Sequence, residues 1–178
     1  MKKNLVLGSV CAAAIASAAA AEVTLDLGNN TLGGNAANNY TFELIGTMTG
    51  FSITFDYVTN AGGSWASDMV LYIIGPGLEG IAWGGFNTQF GIPLNGGTWG
   101  FDGPGSSASG TYTDTKVHGA GAGGLWTFGI GNGWTGSPTV SYNNVSLTLF
   151  GDISFVPAPG AVALLGLAGL AGSRRRRG

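Results

Sequence analysis

Phe51, Ile53, Phe55 and Tyr57 alternate with Ser52, Thr54 and Asp56, the two-residue period of a strand with one face buried. Nowhere between residues 22 and 155 do apolar positions hold a 3.6-residue period for three turns, so helices are not the building element of that stretch. The same reading predicts strands over 40–45, 69–74, 112–117, 125–130 and 140–150. Many of the 34 glycines punctuate them, in segments 28–39, 60–63, 75–80, 95–97, 103–110, 119–124 and 131–136. Short strands separated by turn chemistry make an all-β sandwich or barrel. In the last strand Val140 and Tyr142 share one parity and Val145, Leu147 and Leu149 the other. A bulge at Asn143 and Asn144 would turn both groups to the core.

Charge divides the chain differently. Six of its seven cations lie at the ends, Lys2, Lys3 and Arg174 to Arg177, while all nine acidic residues fall between Glu22 and Asp152. Against those nine stands Lys116 alone, a net charge near −8 for the middle of the chain. Nucleic acid is excluded as an expected partner, because phosphate binding needs clustered Lys and Arg.

The two ends read as address segments. Lys2 and Lys3 precede an apolar run from Leu5 to Ala16, and small residues lead to Ala19, Ala20 and Ala21 before Glu22. These are the parts of a secretory signal peptide over 1–21, with Ala19 and Ala21 forming the A-x-A cleavage site. Cys11, the only cysteine, would leave with it, and a domain over 22–155 without cysteine depends on packing alone. At the other end, segment 156–178 begins with Val156, Pro157, Ala158 and Pro159. An apolar run over 161–172 follows, then Ser173 and Arg174, Arg175, Arg176 and Arg177. Twelve residues make roughly 18 Å of helix, short of a hydrocarbon core of about 30 Å. The arginines stay on the cytoplasmic side and hold the preceding domain outside.

This order of parts resembles the PEP-CTERM sorting signal, in which a Pro-Glu-Pro motif precedes an apolar helix and a basic tail read by an exosortase. Ala158 stands where that family has Glu. The resemblance implies export, transient membrane tethering, and processing by an exosortase-like enzyme after signal peptidase and the export machinery have acted. A permanent tail anchor is the alternative. A second resemblance runs through the middle: Phe51 to Tyr57, Ser67-Asp68 leading to Gly75-Pro76-Gly77, Gly110 to Thr115, Gly124-Leu125-Trp126-Thr127, and the strand from Val140 to Leu149. It is similar to the P/Homo B domain of proprotein convertases, which implies an eight-stranded jelly-roll sandwich without catalytic activity of its own.

Catalytic chemistry finds few residues. His118 is the only histidine, which excludes metal sites built from two imidazoles, and its place beside Gly119 predicts a solvated loop residue. Segments 75–80 and 119–124 both spell G-x-G-x-x-G, yet strand-like sequence rather than a helix follows, so both are read as turns and not phosphate cradles. Asp68, Asp102 and Asp114 fall near predicted strand ends without a calcium-loop pattern. A carboxylate pair for glycoside hydrolysis depends on the fold and not on sequence spacing. Neither a cofactor nor a metal is expected.

Of the aromatics, Trp126 alternates with Phe128 and Ile130 and is read as core. Trp83, Trp99 and Trp134 are flanked by glycine, which suits rings on loops where a sugar face could stack; packing against the ends of the sandwich is the alternative reading. The expectation is a non-catalytic, exported protein of the cell surface or extracellular matrix in contact with extracellular polysaccharide. A secreted, glycosidase-like hydrolase is the alternative.

Overall fold

The computed structural model describes residues 22–34, 36–59, 63–76, 80–85, 96–121, 123–134 and 139–156. Of these, 73% are strand and 6% helical, in one open, mostly antiparallel sheet of seven strands. The strands are β1 (Val23–Gly33), β2 (Ala37–Val58), β3 (Met69–Ile74), β4 (Gly80–Gly84), β5 (Gly110–Gly121), β6 (Gly124–Asn132) and β7 (Thr139–Phe155). Two short 3-10 turns, Ala66–Asp68 and Pro104–Ser107, complete the described elements. The expected terminal helices, within 1–21 and 161–172, lie outside the described residues.

The 69–74 strand is as predicted, but segments 40–45 and 51–57 are parts of one strand, β2, whose two halves have different neighbours. Its first half pairs with β6, from Ala37 opposite Gly131 to Leu44 opposite Gly124. The second half pairs with β5 on the same side, from Thr47 opposite Gly121 to Tyr57 opposite Gly110, and with β7 on the other. Both β5 and β6 run antiparallel to β2, so they lie end to end in the same direction. Segment 119–124 is therefore not a reversing turn: Gly119 to Gly121 belong to β5, and Gly124 opens β6. β1 continues the sheet beyond β7, and β3 and β4 continue it beyond β6.

Glycine allows the sheet to change direction where these strands pass from one set of neighbours to the other. Gly46 has φ +99° and Gly151 φ +126°, and a Cβ on Gly46 would meet the Asp152 carbonyl oxygen at 1.7 Å. No L-side chain fits that approach, and bends or bulges at such points carry strands from one layer to another. The sheet thus folds over at a glycine corner into a sandwich-like, all-β arrangement. Its core takes Leu25 and Leu27 from β1, Phe51, Ile53 and Phe55 from β2, Leu71 from β3, Trp126 and Phe128 from β6, and Leu147 from β7.

The bulge in β7 is present. Asn144 has φ +51°, the register slips between Thr54 and Asp56, and Val140, Tyr142, Val145, Leu147 and Leu149 are all fully buried. Three features depart from the sequence reading. β1 runs through Gly28 to Gly33, residues read as turn, with register shifts on both sides of Gly28. β4 was not anticipated. His118 lies within β5 rather than in a loop, half-buried with its ring 6.4 Å from Trp83, and burial lowers its pKa.

Candidate functional site

Opposite the glycine corner, the far ends of both halves of the sheet meet, and segment 63–68 leads into β3 between them. Tyr57 at the end of β2 donates its hydroxyl proton to the Ser64 carbonyl. Ser67 and Ser106, both buried, share a 2.9 Å hydrogen bond that ties one 3-10 turn to the other. Asp68 closes its own turn: Oδ2 accepts the Trp65 N–H at 2.6 Å and the Ser64 hydroxyl at 3.3 Å. Its backbone carbonyl accepts the Gly133 N–H at 2.7 Å. Beyond β6, the buried Asn132 accepts the Trp134 N–H on Oδ1 at 3.0 Å.

These short-range bonds place two indoles and one carboxylate around a cavity of about 190 Å³ lined by Gly63, Trp65, Asp68 and Trp134. Asp68 is only 6% exposed, whereas Trp65 is 38% exposed and Trp134 half-buried. Burial pushes the Asp68 pKa up, the Trp65 N–H and Ser64 hydroxyl counteract part of that, and the charge of Asp102 adds to the rise. The cleft therefore has apolar ring walls and an acceptor at its edge. It suits a flat ligand with hydrogen-bond donors.

The three glycine-flanked tryptophans do not gather into one site. Trp99 is buried, not on an exposed loop: its Nε1 donates to the Met69 carbonyl at 2.7 Å, and its ring stacks on Phe101 at 5.8 Å. Trp83 belongs to β4 and is half-buried, edge-on to Phe51 at 5.7 Å. Lys116 lies over both rings, 5.5 Å from the Trp83 centroid and 6.0 Å from that of Trp99, while ion-paired with Asp114 at 2.8 Å. Burial alone would raise the Asp114 pKa. Lys116 and the N–H groups of Gly100 and Thr115 outweigh it and leave the pKa lowered. Among the described residues, β5 has a ladder partner only on its β2 side, and charges turned inward on such a strand guard a sheet against edge-to-edge pairing. Of the three, Trp134 alone lines the cleft, and its partner there is Trp65.

Asp68, Asp102 and Asp114 do not converge: among the described residues, no group of three or more His, Cys, Asp or Glu could hold a metal ion. A second cavity of about 300 Å³ near the corner is lined by Ile73, Gly75, Pro76, Gly119 to Gly121 and Trp126, none of which, among the described residues, has an ionisable side chain. Val156 continues the ladder, its N–H bonded to the Glu43 carbonyl at 3.1 Å. Pro157, Ala158 and Pro159, the arginines Arg174 to Arg177, and the cleavage residues Ala19 and Ala21 lie outside the described residues. No protein-family model matches the chain, and no curated protein matches it.

Proposed function

We propose that this is an exported, non-catalytic protein of the cell surface or extracellular matrix, a jelly-roll-like sandwich that contacts extracellular polysaccharide through the cleft between Trp65 and Trp134. The observation that carries the reading is the pairing of two partly open indoles with a carboxylate that lines the same cavity. Indole faces stack on the C–H faces of sugar rings, and a carboxylate oxygen accepts sugar hydroxyls.

Orientation supports it. β6 runs from Gly124, beside the point where the chain passes into segment 157–178, to Asn132 next to the cleft. Its eight steps cover about 26 Å. Ile45, Leu125 and Phe155, 42%, 62% and 49% exposed, lie at the tail's root, an apolar end suited to a membrane. The signal peptide over 1–21 and the PEP-CTERM-like tail over 156–178 supply export, exosortase-like processing and transient tethering in this proposal.

A hydrolytic reading would place a second carboxylate in the cleft. Asp102 acts on Asp68 through its charge, but it is exposed, outside the cavity lining, and bound to the Gly103 N–H at 2.8 Å. Binding is therefore the better account. On a glycan array, the full chain in detergent should bind a polysaccharide fragment, and Trp65→Ala and Trp134→Ala should each weaken binding by about tenfold or more. Absence of binding, or binding undiminished in both variants, would contradict the proposal.

A further inference from the structure

Asp68 is a carboxylate with no cationic partner among the described residues. It is 6% exposed; Oδ2 is occupied by Trp65 and Ser64, while Oδ1 takes no hydrogen bond from the described residues. Between residues 22 and 156 the single cationic side chain is Lys116, and Lys116 is held by Asp114. A buried carboxylate is stable when a positive group faces it and costly when none does. Among the described residues, none supplies a cation to Asp68.

Asp68 lines a cavity together with Trp65 and Trp134, and indoles are the best aromatic partners for a cation. We propose that the cleft takes a protonated amine, carried by an unacetylated hexosamine residue of a polysaccharide. This rests on the carbohydrate reading of the same cleft and sharpens it. The ammonium group would sit at Asp68 Oδ1 with the sugar ring between Trp65 and Trp134. A neutral or acidic sugar would leave the carboxylate uncompensated. A bare metal ion is a poorer occupant, because among the described residues Asp68 is the only acidic side chain lining the cavity and hard cations need several oxygen ligands. Asp102 adds negative potential at Asp68, and the acidic middle of the chain, with nine carboxylates against one lysine, draws cations toward it and repels anions.

Calorimetric titration of the full chain in detergent tests this, with a glucosamine oligosaccharide and its fully N-acetylated counterpart of equal length as probes. The free-amine oligomer should bind about tenfold more tightly. Asp68→Asn should abolish that preference, and Trp65→Ala should weaken binding of both oligomers. Without any variant, raising the pH until the free amine is neutral should erase the preference. Equal affinity for the two oligomers, or a preference that survives amine deprotonation, overturns the ammonium assignment while the carbohydrate reading stands. Failure of both oligomers and of every array glycan to bind overturns the two together.

Discussion

Asp68 and Asp114 show how one residue type takes opposite roles in this fold. Asp68 is buried where no cation reaches it, so its pKa rises above 3.8 and the folded state favours its protonated form. The stability it contributes is full below pH 3.8 and is lost as pH rises through the raised value. Asp114, held by Lys116, has a lowered pKa; its contribution is present above 3.8 and lost as pH falls through the lowered value. Asp68→Asn should therefore match or exceed the natural protein's stability at pH 7, and any gain should shrink as pH falls toward 4. Urea melts at several pH values check it; a variant much weaker at pH 7 would show that the ionised carboxylate holds the turn. Some of the cleft was legible in sequence and some was not. Trp134 stood out because glycine precedes it, but the same rule chose Trp99, whose indole the fold buries against Met69 and Phe101. Trp65 sits between Ser64 and Ala66, and nothing local marks it; its role arises because Asp68 accepts its N–H and β6 brings Trp134 to the same mouth.

At the scale of elements, alternation located the buried positions and glycine misled about where strands end. The change of parity after Tyr142 located the β7 bulge, because a strand can present Val140 and Val145 to one core only by inserting a residue. Gly119 and Gly121 fall in a segment read as punctuation, yet they lie inside a long strand paired with β2, and Gly46 lies where β2 passes from one set of neighbours to the other. Two substitutions separate a bend with no room for a side chain from a positive-φ strand glycine that has room. Gly46→Ala puts a Cβ 1.7 Å from the Asp152 carbonyl oxygen at φ +99°, and should cost on the order of 3 kcal/mol or more. Gly28→Ala, at φ +62° with nothing within 4 Å, should cost only about 1 kcal/mol. Chemical denaturation of the two variants checks the corner: equal costs would mean that β2 does not need glycine to pass between neighbours.

Across the whole molecule, the two ends of the folded-over sheet take different tasks under the proposed function. The corner end carries the exposed Ile45, Leu125 and Phe155 and leads into Pro157; the mouth carries Trp65, Asp68 and Trp134. A tail that tethers the chain at the corner turns the mouth outward, which gives the short apolar run and the cleft a common logic. About 12 apolar residues suit a transient span better than a permanent one, since mismatch costs fractions of a kcal/mol per Å. Replacing Pro157 and Pro159 should accordingly trap precursor in the membrane. Intact-mass spectrometry of the protein recovered from the surface of producing cells tests this central account most directly. The account predicts a form that begins at Glu22 and lacks Arg174 to Arg177, whereas a surface form that still ends at Gly178 would contradict it.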